Sequence, residues 1–164
     1  MALRGKKPTT IEKRLKLLLF GRAGVGKTTA AIQFPRPYLI DTERGAENDS
    51  YVQTLNKQGG AYLFTNDPDE LISEVQALLS TKHTYRTLII DPMTVIYNDL
   101  LDNAVKRIAR TENREEDDKE TTAFGRHKQM PDRTVKHLLA LLLRLDMNVV
   151  LTSHAKGEWA NGAT

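Results

Sequence analysis

Short runs rich in apolar residues recur along the chain at Leu15 to Phe20, Tyr38 to Ile40, Ala61 to Phe64, Tyr85 to Ile90 and Asn148 to Leu151. Each is too short for a helix, and near-continuous apolar runs of this length predict strands buried in a parallel sheet. Between them the period changes to that of a helix. Leu71, Ile72, Val75, Leu78 and Leu79 form one stripe, opened by Asp67-Pro68-Asp69-Glu70 with its capping Asp, proline in the first helical position and Glu three residues on. Val95, Ile96, Leu100, Leu101, Val105 and Ile108 mark a helix over 94–110. Val135, Leu138, Leu139, Leu142 and Leu143 mark another that Pro131-Asp132 opens. Shorter helices are expected over 27–34, stopped by Pro35 and Pro37, and over 49–58, closed by Gly59-Gly60. Strands alternating with helices predict a three-layer α/β/α domain with a mainly parallel central sheet.

Two stretches fall outside this alternation. Residues 1–12 are polar and basic and read as a flexible lead-in, leaving 13–164 as one domain. Residues 111–120 are almost all charged, with Glu115-Glu116-Asp117-Asp118 at their centre, and are expected to form a mobile loop.

Composition changes the picture little. Of 164 residues, 40% are hydrophobic and 27% charged, as in an ordinary globular chain, and the net charge of +3 permits a polyanionic partner without requiring one. The absence of cysteine excludes disulfides and thiolate metal sites. No signal-peptide core and no membrane-length apolar run are present, so a soluble, cytoplasmic protein without a membrane partner is expected.

The stretch with the most chemistry is Gly21-Arg22-Ala23-Gly24-Val25-Gly26-Lys27-Thr28-Thr29, directly after the first apolar run. It fits the phosphate-binding loop: Gly21, four residues, then Gly26, Lys27 and Thr28. A random chain of this length would contain such a match with probability on the order of 0.01. Glycines let the backbone N–H groups approach phosphate oxygens, and the following helix points its positive end there. Lys27 would reach the β and γ phosphates of ATP, and the Thr28 hydroxyl would hold Mg²⁺. Asp91, behind Thr87-Leu88-Ile89-Ile90, is expected to hold the same Mg²⁺ through water. A water attacking the γ-phosphate needs a carboxylate to orient it, and Glu43 is the first candidate and Asp41 the second. His154, just past the last run, is placed either to donate to the γ-phosphate or to satisfy a backbone carbonyl.

Gly21 to Thr29, Ile40-Asp41-Thr42-Glu43, Leu88-Ile89-Ile90-Asp91 and Leu151-Thr152-Ser153-His154 together resemble the successive motifs of the RecA/RadA-like ATPase superfamily. The likeness is to small phage-encoded RecA-like ATPases of single-strand annealing and recombination, and it spans about residues 13–156. It implies a RecA-like P-loop core with Glu43 as the catalytic glutamate. His154 would be the γ-phosphate sensor, where RecA itself has glutamine. It further implies a DNA-dependent ATPase acting on single-stranded DNA in the bacterial host, and a ring or filament of identical subunits with ATP at their interfaces. Two DNA-facing loops would fall at 111–129 and after His154. Arg126, His127, Lys128 and Lys156 are then candidate phosphate contacts, with Phe124 and Trp159 as stacking faces. Such proteins continue with further strands, so a core shortened on its C-terminal side is expected.

Two other readings fit the same loop. A P-loop kinase of a nucleoside or small metabolite would need arginines over the phosphates, for which Arg107, Arg110 and Arg114 are available. A nucleotide-gated DNA-binding module would bind ATP without turning it over.

Overall fold

The computed structural model describes residues 13–45 and 49–155. Its elements alternate as expected: β1 (Lys16–Gly21), α1 (Lys27–Ala31), β2 (Pro37–Asp41), α2 (Asp49–Lys57), β3 (Ala61–Phe64), α3 (Pro68–Ser80), β4 (Thr87–Asp91), α4 (Met93–Glu112), α5 (Lys119–Thr122), a 3₁₀ segment (Ala123–Lys128), α6 (Gln129–Arg144) and β5 (Asn148–His154). The five strands form one sheet in the order β1-β5-β4-β2-β3, and every pairing is parallel.

Alternation within the strands divides the core between the two faces of the sheet. Ile40, Leu88, Ile90 and Val149 point toward Leu71 and Val75 of α3, Ile96 of α4 and Leu138, Leu141 and Leu142 of α6. Their sequence neighbours Leu39, Ile89 and Val150 point the other way, against Ala31, Ile32 and Leu55. The result is the three-layer α/β/α architecture. β4 is buried from Thr87 to Ile90, as a central strand covered on both faces must be. Each of its aliphatic side chains contributes roughly 1.5–3 kcal/mol by leaving water.

Three expectations are corrected. β1 is not a strand buried on both faces: it pairs only with β5 among the described residues, and Leu18 and Phe20 are 59% and 68% exposed. Its apolar run reflects an edge whose outer side carries leucine and phenylalanine. The buried stripe of α6 is Leu138, Leu141 and Leu142, whereas Leu139 and Leu143 face an apolar groove shared with Leu17 and Leu18. With apolar residues at nearly every position from Leu138 to Leu143, periodicity alone does not fix the inward face.

The acidic stretch is also ordered differently from expectation. α4 runs on to Glu112 and ends with Asn113 in the left-handed region at φ 51°. Asp118 caps α5 by accepting from the Glu120 N–H at 2.9 Å, and Arg114 donates to Asp118 at 3.2 Å. The Arg114 guanidinium and the Glu120 N–H hold the Asp118 carboxyl below the usual aspartate range, the backbone bond being the larger cause. Local charge pairing and capping supply the order that apolar burial does not. Among the described residues, no helix is long and apolar enough to cross a membrane.

Candidate functional site

Parallel register gathers the chemistry at the carboxyl ends of the strands. Gly21 of β1 lies beside His154 of β5, and Asp41 of β2 lies beside Asp91 of β4. In open α/β sheets this edge is where ligands bind.

Beyond β1 the chain turns through Arg22 to Gly26 into α1. Gly24 and Gly26 adopt φ of 78° and 87°, the left-handed region where a side chain is strained. An added Cβ at either would meet no atom within 4 Å, so the demand for glycine here comes from backbone conformation, not from crowding. α1 has only five residues, so its dipole is a minor contribution, and anion binding falls chiefly to the loop N–H groups and Lys27. The Lys27 ammonium donates to the Gly21 carbonyl at 3.0 Å and to the Arg22 carbonyl at 2.8 Å. Two of its three donors lie along the loop, which leaves one N–H for a phosphate oxygen.

The carboxylates have distinct settings. Asp41 is buried and accepts from the Glu43 N–H at 3.0 Å, forming a turn that carries Glu43 out past the strand. The side chain of Glu43 is 45% exposed, and its Oε2 lies 3.3 Å from His154 Nε2. Asp91 Oδ1 accepts from the hydroxyl of buried Thr152. Its backbone carbonyl accepts from Thr42 N–H at 2.9 Å, and the Thr42 hydroxyl donates to the Pro92 carbonyl at 2.8 Å. Thr94 accepts from the His154 N–H at 2.9 Å and shares a hydrogen bond with Ser153 at 3.1 Å. Short polar side chains thus tie the three strand tips together.

A cavity of about 300 Å³ lies over this edge, lined by Ala23, Gly24, Gly26, Lys27, Thr28 and Thr29 from the loop together with Asp41, Glu43, Asp91 and His154. Every catalytic and metal residue expected from the sequence borders it. Gly21, Arg22 and Val25 do not: the first two present carbonyls to Lys27, and Val25 is 63% exposed. Gly45, Pro92 and Tyr51 also line it, the Tyr51 hydroxyl 3.2 Å from Thr29 Oγ1. Sequence reasoning passed over Tyr51, Thr42, Thr94 and Thr152. Only Thr42 and Thr152 carried a signal, since each sits inside a motif at a strand tip.

The donor set fits ATP and Mg²⁺. A hydroxyl from Thr28, at the end of the phosphate-type loop, and a carboxylate from Asp91, at the tip of β4, are hard oxygen ligands lining the same cavity. No group of three or more His, Asp or Glu among the described residues is placed to hold a metal alone.

The outlying candidates are scattered. Arg126 is paired with Glu112 through both terminal nitrogens, His127 is partly buried, and Lys128 is exposed. Phe124 is fully exposed at φ 51°. Lys156 and Trp159 lie outside the described residues. Arg107 donates to Met130 Sδ at 3.1 Å and Arg114 pairs with Glu112 and Asp118. None of Arg107, Arg110 and Arg114 borders the phosphate-loop cavity.

A strand, a glycine-rich loop, a helix opening on Lys-Thr and an acid on a nearby strand of the same parallel sheet define a P-loop nucleotide-binding domain. The chain belongs to the AAA domain family of P-loop ATPases, whose description it matches over residues 13–164. No curated protein matches it.

Proposed function

We propose that the protein is a Mg²⁺-dependent ATPase of the RecA-like class that couples nucleotide state to single-stranded DNA in recombination or strand annealing. The observation that carries the ATPase reading is the single cavity bordered by Lys27, Thr28, Asp91, Glu43 and His154. In it, Lys27 and the loop N–H groups would bind the β and γ phosphates, and Mg²⁺ held by Thr28 and Asp91 would draw charge from the γ-phosphate oxygens. Glu43 would orient the attacking water and accept its proton. His154, within reach of Glu43, would donate to the γ-phosphate and carry its loss to the segment beyond β5. The RecA-like class rests on the resemblance of the four strand-tip motifs.

The DNA reading rests on the resemblance and on Lys128 and the exposed Phe124 beyond α5. ATP turnover measured with and without single-stranded DNA tests both parts. Hydrolysis that rises with single-stranded DNA supports the whole reading, hydrolysis indifferent to DNA leaves the ATPase alone, and no ATP binding at millimolar nucleotide ends it. The kinase reading is disfavoured because its candidate arginines border other surfaces.

A further inference from the structure

A second cavity, of about 410 Å³, opens at the opposite edge of the sheet, where β2, β4 and β5 begin. Arg36, Arg86 and Arg144 stand around it, with His83 and Tyr85 in its wall. All three arginines are exposed, and none forms an ion pair among the described residues. The carboxylate in the wall, Asp146, is engaged by Arg14 Nε at 2.8 Å. Asp146 also faces Arg86, so a single carboxylate, already bound to Arg14, stands against three guanidinium groups, and positive charge is in excess around the cavity.

The backbone beneath them is fixed. Arg86 N–H donates to the Arg36 carbonyl at 3.0 Å, and the Arg86 carbonyl accepts from Asn148 N–H at 2.9 Å. Thr87 Oγ1 ties the Pro35 carbonyl at 3.0 Å. His83 stacks on Tyr85 with ring centroids 5.6 Å apart, and Tyr85 meets Tyr38 edge-on at 4.9 Å. Nε2 of His83 lies 3.0 Å from the Leu78 carbonyl, whereas its buried Nδ1 has no partner. With Nε2 donating to a carbonyl, Nδ1 is an acceptor, so the attraction for an anion in this cavity comes from the three guanidinium groups and the His83 ring serves as a reporter beside them.

We propose that this cavity is a second anion site, separate from the phosphate loop, that takes a phosphoryl group carried on a phosphodiester or on a free nucleotide. Guanidinium forks match phosphate oxygens two at a time, and the volume lies within the range of small-ligand sites. From Arg86 to Asp91 the length of β4 separates the two sites by roughly 16 Å, so one triphosphate does not serve both. The site stands whether or not the protein hydrolyses ATP.

The test uses the Lys27→Ala protein, in which anion binding at the phosphate loop is weakened. It is titrated at low salt with pyrophosphate and, separately, with a short oligothymidylate, following calorimetry and the His83 imidazole resonances. Saturable pyrophosphate binding that shifts His83 is expected, weakened by about tenfold for each arginine removed in Arg86→Gln/Arg144→Gln. If the oligothymidylate also binds with His83 shifts, and its salt slope falls by about one per arginine removed, the ligand is a nucleic-acid backbone. If pyrophosphate alone binds, it is a free phosphate compound. The idea is overturned if neither probe binds, or if binding is the same with and without the two arginines. Because these exposed guanidinium groups form no ion pair among the described residues, the melting temperature should change little. Should the double variant unfold, Arg36→Gln gives the same readout.

Discussion

Asp41 and Glu43 stand two positions apart in one motif, yet burial gives them different work. Asp41 is enclosed and holds the turn; Glu43, half-exposed, reaches the cavity and His154. Both were candidates for the water-orienting acid, and no spacing rule separates them, because the distinction lies in where the chain bends after β2. The same holds for Thr152, whose hydroxyl fixes the Asp91 carboxylate from a neighbouring strand. Thr152→Val should cost about 1 kcal/mol in stability by leaving that part-buried carboxylate oxygen without its partner. It should also raise the Mg²⁺ concentration needed for half-maximal turnover, which thermal unfolding and Mg²⁺ titration would register. Lys27→Ala removes a charge-assisted contact worth roughly 1.5–3 kcal/mol, so ATP affinity should fall about 10- to 150-fold in equilibrium binding. An unaltered affinity would place the phosphates elsewhere.

At the level of elements, helices with strong caps and clear stripes were legible: α3 begins where Asp67 and Pro68 place it, with Asp67 accepting from Asp69 N–H at 2.8 Å. The face of α6 was not, because leucine occupies too many of its positions to mark a side. Its register is testable. Leu142→Ala should destabilise by about 2–5 kcal/mol, whereas Leu143→Ser and Phe20→Ser should change stability by no more than about 0.5 kcal/mol. Chemical denaturation of the three variants would show the contrast, and equal losses would contradict the assignment of the two faces. The acidic stretch before α5 departs from expectation for another reason. Composition predicts what cannot be buried but is silent on capping, and a cap with one arginine is enough to shape a short helix.

For the molecule as a whole, alternation of strand and helix made the three layers legible, and the motifs made the nucleotide edge legible. The edge position of β1 was not, since strand order depends on long-range pairing that local pattern does not encode. The sheet also ties stability to pH through Tyr38, whose hydroxyl donates to Glu74. Burial first, and the Glu74 carboxylate second, push its ionisation well above the ordinary tyrosine range. The unfolded chain releases this proton near pH 10 and the folded one only at higher pH. The stability it contributes is therefore complete below about pH 10 and is lost as pH rises beyond it. Wild type should lose melting temperature faster than Tyr38→Phe above that point, and parallel curves would contradict the assignment.

The most direct test of the site is the behaviour of Glu43→Gln beside wild type in Mg²⁺-ATP binding and steady-state hydrolysis. If the carboxylate at that strand tip activates water, the variant binds ATP within a few-fold of wild type while turnover drops by roughly 10²–10⁴. Undiminished hydrolysis by Glu43→Gln would contradict the assignment and move the chemistry to another group on the same edge.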